Sequence, residues 1–209
     1  MHSESINSET KRVLEKIAKS PIAGEFYLAG GTALAVQLGH RESIDLDWFS
    51  EKEFSNSKIK EEISGIGNFQ LSSEEEGTIH GTADDVKVSF LRYPYKLLFP
   101  LVSFSGINLA DERDISAMKI DAISSRGSKK DFIDLFFLLK KYPLEELLDF
   151  FEKKFPDIRY NKLHILKSLA YFETAEDEPM PKMLKDADWK KIKEEIMTKA
   201  NDFLKSQTQ

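Results

Sequence analysis

The sequence contains no cysteine, which excludes a disulfide framework and any thiolate zinc site. Its four histidines, His2, His40, His80 and His164, show no metal-ligand spacing and read as surface or incidental positions. No apolar run approaches membrane-spanning length. No amino-terminal stretch joins a basic start, an apolar middle and a small-residue cleavage site, so the expected location is cytoplasmic, without a membrane partner. Positive charge is also in deficit: Lys and Arg number 30 against 36 Asp and Glu, for a net charge of -6 and a pI near 5.4. The chain as a whole is therefore not built to hold nucleic acid, and such contact would need a local patch such as Arg126, Lys129, Lys130, Lys140 and Lys141. Internal repeats and low-complexity tracts are missing too. What remains is a chain of 209 residues, 41% hydrophobic and 32% charged, enough for a substantial core and one large domain or a domain with a helical extension.

One stretch organises the rest. Phe26-Tyr27-Leu28-Ala29 is a short apolar run ending in Gly30-Gly31, and Thr32 to Leu38 then carry good helix formers before Gly39 supplies a stop. The reading is strand, tight turn, helix. Glycines at such a junction let backbone amides approach a ligand, and the helix N-terminus behind them favours a phosphate. The next segment alternates: Ile44, Leu46 and Trp48 fall on one face, Asp45, Asp47 and Phe49 on the other, the period of a half-buried strand. Side chains two apart on a strand are separated by roughly 6.5 Å at the backbone, so the two aspartates can converge on hard divalent cations such as Mg²⁺. A plain turn and a solvated strand face are the bland alternatives. Asp is depleted in strands, and two within three residues need a reason.

Gly30-Gly31-Thr32-Ala33-Leu34 with Arg41-x-Ser43-x-Asp45-Leu46-Asp47 resembles the AbiEii/AbiGii toxin family of the nucleotidyltransferase superfamily. The resemblance continues through Asp114-Ile115-Ser116-Ala117-Met118-Lys119, Arg126-Gly127 and Lys130-Asp131-Phe132-Ile133-Asp134-Leu135. It implies an α+β, polymerase-beta-like fold: a mixed sheet flanked by helices, with a C-terminal helical subdomain. The implied activity is Mg²⁺- (or Mn²⁺-) dependent transfer of a nucleoside monophosphate from an NTP to an acceptor. The implied acceptor is RNA, such as the acceptor end of tRNA, and the implied partner a cognate antitoxin. Gly30, Gly31 and Thr32 would cradle the triphosphate, Asp45 and Asp47 would hold the metal, Arg41 would balance phosphate charge, and Ser43 would orient the loop or touch the nucleotide. Lys119 and Asp131 match the family's functional lysine and later aspartate, with Asp134 the weaker candidate. A nucleotide-binding module without transfer activity and a small-molecule nucleotidyltransferase are the alternatives.

Around these motifs, Ser8 to Lys19 reads as an amphipathic helix, Ser57 to Ile63 as a short one ended by Gly65 and Gly67, and Asn68 to Leu71 as the start of a strand. Val86 to Leu91 is a clearer strand, closed by Tyr93-Pro94-Tyr95. Many nucleotidyltransferases carry a third acid there, where Ser89 stands, and Asp85 is about 13 Å away along the strand, too far to substitute. Compensation from elsewhere is expected. Ile107 to Ala110 reads as a last strand and Asp114 as the N-cap of a helix whose apolar stripe contains Lys119. An inward lysine calls for an acid or a phosphate, unless its head snorkels to water. Ser128 reads as the cap of an almost wholly apolar helix, Lys129 to Lys140, with Asp131 placed to complete a capping box. Leu144 to Phe155, Leu163 to Phe172 and Ala187 to Ala200 read as further helices, the acidic run Glu173 to Glu178 as connection, and Trp189, Phe150, Phe151 and Phe155 as core. The expected domains are residues 1–140 and 141–209, fraying from Ser206 to Gln209.

Overall fold

The computed structural model describes residues 1–158 and 160–206; residues 207–209 of the expected fraying end lie outside the described residues. The chain divides into two compact units, Met1–Asp111 and Glu112–Gln209, so the division falls earlier than the boundary expected after residue 140. The reason is physical: the two helices assigned by sequence to the first domain bury their apolar faces among the later helices.

The first unit holds the whole sheet. Its helix α1 (Ser8–Ala18) is capped by Asn7, whose side-chain oxygen accepts the Thr10 amide at 2.8 Å, and buries Val13, Leu14 and Ile17. After α2 (Ile22–Glu25) come β1 (Tyr27–Ala29), α3 (Gly30–Leu38), β2 (Leu46–Ser50), α4 (Asn56–Ile66), β3 (Phe69–Glu75), β4 (Thr78–Ala83), β5 (Val86–Arg92), β6 (Val102–Phe104) and β7 (Ile107–Leu109). The strands form one seven-stranded sheet in the order β3-β4-β5-β2-β1-β7-β6, antiparallel at β1/β2 and parallel at β2/β5 and β1/β7. Leu28, Leu46, Trp48, Ile79 and Phe90 are fully buried along its core.

Three local expectations change. α3 starts at Gly30 rather than Thr32, because Gly30 takes a φ of 65° that turns the chain straight from strand into helix. β2 starts at Leu46, so Asp45 precedes the strand and Ile44 is exposed instead of sharing the buried face of Leu46 and Trp48. β4 and β6 were not anticipated. In β4 the alternation is hidden by Gly81, where a Cβ would meet the Gln70 carbonyl at 2.5 Å and the Phe69 ring. Two contacts fasten the amino-terminal residues to this region: the His2 amide donates to the Val36 carbonyl at 2.7 Å, and Ser5, in the turn Ser3–Ser5, accepts the Ser43 amide at 2.8 Å. His40 is fully buried, against its expected surface position.

The second unit is helical: α5 (Glu112–Ser125), α6 (Lys129–Leu139), α7 (Leu144–Lys154), α8 (Lys162–Ser168), α9 (Glu173–Glu176) and α10 (Trp189–Ser206). α6 is central, with Phe132, Ile133, Leu135, Phe136, Leu138 and Leu139 buried, as its composition requires. Asp114 is not a cap. It sits inside the first turn of α5, where its carboxylate accepts from Lys154 Nζ at 2.8 Å with both side chains fully buried. α9 falls within the acidic run read as connection, and Trp189 is half-buried against Phe132 and Phe172, with ring centroids 6.1 and 5.8 Å away.

Candidate functional site

In the first unit the β1–α3 turn and the segment leading into β2 meet. Pairing of Ala29 with Asp47 in antiparallel β1/β2 puts the last strand residue before the glycines opposite the second aspartate. Gly30 then passes so close that a Cβ would lie 2.9 Å from Asp47 Oδ2. A Cβ on Gly31 would lie 2.6 Å from Arg41 Nη2 and 3.4 Å from Ser43 Oγ. Each glycine is thus required by a different partner, the first by a carboxylate and the second by a guanidinium. Arg41 is buried and donates through Nη1 to the Glu42 carbonyl at 3.0 Å, so its charge lies beneath the first turn of α3.

Thr32 and Ser43 close the cradle. Thr32 Oγ1 lies 2.8 Å from Ser43 Oγ and donates to the backbone carbonyl of Asp45. Both side chains are buried. The hydroxyl of Thr32 is therefore engaged in holding the segment before β2. The structure brings Gly30, Gly31, Thr32, Arg41, Ser43, Asp45 and Asp47 together.

Asp45 and Asp47 are each half-buried, on either side of the fully buried Leu46. Among the described residues no group of three or more His, Asp or Glu side chains could hold a metal ion. Two half-exposed carboxylates are hard oxygen donors that suit Mg²⁺ or Mn²⁺ when substrate phosphates and water complete the coordination, so the donor set fits such an ion in its nucleotide-bound form. Ser89 on β5 pairs directly with Asp47, and the residue opposite Ser89 on β4 is His80. The His80 Nδ1 lies 3.0 Å from Ser89 Oγ. Sequence reasoning passed over His80 as incidental; only the register of an unanticipated strand brings it to this row.

In the second unit, Lys119 meets the acids its inward position called for. Its Nζ lies 2.9 Å from Asp131 Oδ1 and 2.6 Å from Asp134 Oδ2, and all three side chains are buried. Asp134, the weaker candidate, is the shorter of the two contacts. Ser128 caps nothing with its side chain; its Oγ donates to Asp131 Oδ2 at 2.8 Å, and Arg126 Nε donates to the same oxygen at 3.1 Å. Burial pushes the Asp131 carboxyl up, but the charges of Lys119 and Arg126 and their hydrogen bonds outweigh it and hold it below the ordinary carboxylate value. Beside this cluster, Arg126, His164, Lys167 and Tyr171 border a cavity of about 330 Å³.

The family described as nucleotidyl transferase AbiEii toxin, type IV TA system, matches residues 12–207. The chain belongs to the AbiEii family. It is a nucleotidyltransferase of that toxin family, with the mixed sheet and flanking helices expected of the fold. An uncharacterised protein of Aquifex aeolicus is 36% identical over 207 residues, covering 96% of this chain and 98% of the relative. Among solved structures, a candidate nucleotidyltransferase of Helicobacter pylori aligns with a TM-score of 0.53 at 17% identity, covering 94% of this chain and 92% of that one. MenT4, a nucleotidyltransferase toxin of Mycobacterium tuberculosis, aligns with a TM-score of 0.53 at 15% identity, covering 94% and 86%. At such identities the two structures speak for the shared fold. Among the described residues, no helix of this AbiEii chain is long and apolar enough to cross a membrane.

Proposed function

We propose that this AbiEii protein transfers a nucleoside monophosphate from an NTP to an RNA acceptor in a Mg²⁺-dependent reaction, releasing pyrophosphate. The observation that carries the reading is the approach of Gly30 to Asp47: the glycine turn that can face phosphate oxygens with backbone amides lies against the carboxylate that can face a cation. Asp45 and Asp47 would hold the ion, which when bound supplies charge neutralisation at the transferring phosphate and activation of the attacking oxygen. Gly30 and Gly31 admit the triphosphate to the N-terminus of α3. Arg41, buried below that turn, adds positive potential to it. Thr32 and Ser43 fix the backbone that carries Asp45.

Lys119 and Asp131 enter the proposal through the family pattern, with Lys119 as the phosphate-charge partner and Asp131 as the group that positions it. Their mutual contact in the second unit supports the positioning half of that reading. A type IV toxin further implies a cognate antitoxin, and the cytoplasm as the place where both act.

The test is incubation of purified protein with Mg²⁺, each α-labelled NTP in turn and total cellular RNA, with Asp45→Ala/Asp47→Ala as control. Label in RNA with the wild type alone supports the reading and names the nucleotide. Asp47→Asn should lower transfer by at least about 10²-fold without shifting the melting temperature. Full activity in that variant would remove the metal assignment. NTP binding with no label in RNA or protein would instead favour the binding module or a small-molecule acceptor, an outcome for which Ser89 in place of a third acid is the motivating observation.

A further inference from the structure

The proposed transfer site has two acids where many nucleotidyltransferases have three, and the structure holds an unassigned basic group directly opposite the place of the third. Ala29, Asp47, Ser89, His80 and Ser73 form one continuous row across β1, β2, β5, β4 and β3. Residues paired in register project to the same face, so Asp47, Ser89 and His80 share one side of the sheet. That side is half-exposed at all three positions, while Trp48, Phe90 and Ile79 bury the other. Neighbouring strands lie about 4.8 Å apart, which sets the His80 backbone roughly 10 Å from that of Asp47. The imidazole Nδ1 lies 3.0 Å from Ser89 Oγ, so the ring is tied to the residue that stands in the place of the missing acid, between His80 and Asp47 in the row.

We propose that His80 is the general base of the transfer reaction, with Ser89 as the residue that orients it. The step uses the tautomer in which Nδ1–H donates to Ser89 Oγ, which leaves the Nε2 lone pair to accept a proton. In the step, the acceptor hydroxyl gives its proton to Nε2 and its oxygen forms a bond to the α-phosphorus. The bond from that phosphorus to the bridging oxygen breaks, and pyrophosphate leaves with the electron pair. Ser89 cannot do this work as a carboxylate would, having no accessible basic form near neutral pH. The serine and histidine together replace one aspartate.

The inference rests on the reading of Asp45 and Asp47 as the transfer site, and one experiment separates the two. His80→Asn, which keeps an amide able to bond Ser89 but removes the base, is compared with wild type, Asp47→Asn and the double variant His80→Asn/Ser89→Asp. The readouts are single-turnover transfer at saturating NTP, NTP affinity and thermal melting. Expected are a loss of about 10²-fold or more in the transfer rate of His80→Asn, unchanged NTP affinity and melting, and recovery by Ser89→Asp, which restores a carboxylate on β5. Addition of imidazole to His80→Ala should also restore rate. A loss under about 3-fold, or one that neither Ser89→Asp nor imidazole restores, overturns the assignment of His80. Activity surviving Asp47→Asn overturns the site itself.

Discussion

Removing the ammonium of Lys119 should expose how the helical unit balances its charge. Lys119 contacts both Asp131 and Asp134, Arg126 contacts Asp131, and of these four only Arg126 reaches solvent freely. Lys119→Met keeps most of the stem volume but takes from two buried carboxylates the ammonium that both of them contact. Breaking a buried pair by removing one partner costs about 3–5 kcal/mol, because the remaining charge is uncompensated. That is a large part of the about 5–15 kcal/mol that holds a domain folded. The double variant Lys119→Met/Asp134→Asn removes one carboxylate charge together with the ammonium, while Arg126 and Asp131 still face each other, and should recover most of the loss. Urea unfolding followed by the fluorescence of Trp189, which lies in this unit against Phe132, gives all four corners of the cycle. A single-variant loss below about 1 kcal/mol, or a double-variant loss equal to the sum of the two single ones, would refute the reasoning. The pH dependence follows from Asp131. Its carboxyl is held below the ordinary range, so its contribution is complete above about pH 4 and disappears as pH falls through the lower folded value. In Lys119→Met that depression is weakened, so less of the variant's stability is lost on acidification and the gap between it and the wild type should narrow as pH falls.

Gly30→Ala combines a positive φ with a Cβ placed 2.9 Å from Asp47 Oδ2, so it should cost about 1–2 kcal/mol and displace the acid. Transfer should fall by far more than the shift in melting temperature accounts for. Thr32→Val removes a buried hydroxyl that holds Ser43 and the Asp45 backbone; a stability loss of about 1–3 kcal/mol is expected, with a weakened metal response in the transfer assay. Lys154→Met removes the ammonium paired with the fully buried Asp114 and should destabilise by about 3–5 kcal/mol, measured by urea unfolding, while Lys154→Met/Asp114→Leu should return much of it.

The glycine pair and the two aspartates were legible because close backbone approach and alternation leave marks on residue types. Lys119 was legible for the opposite reason, an ion on an apolar stripe that must find a partner. What the sequence hid were pairings. Asp114 carries an N-cap residue's identity, but its partner Lys154 is separated from it by forty positions and no local rule connects them. β4 was missed because Gly81 interrupts its pattern, and His80 was lost with it. β3 is exposed along most of its length, so burial left no alternation to read there. The ends of elements shifted for local reasons, such as the positive φ at Gly30 that lets a helix begin on a glycine. Ser128 shows how a correct capping position can mislead about chemistry: the hydroxyl faces Asp131 and serves the ion cluster instead of the helix end.

The amino-terminal turn has a practical meaning at the bench. Ser5 holds the Ser43 amide, the His2 amide holds the end of α3, and Gly39, at a φ of 63°, leaves room for the His2 ring where any side chain would collide. These first few residues are thus wedged behind the loop that carries Arg41, Ser43 and Asp45. An affinity handle fused just ahead of His2 would pull on that loop as a point mutation in it would. Loss of activity in such a fusion would report a loosened loop.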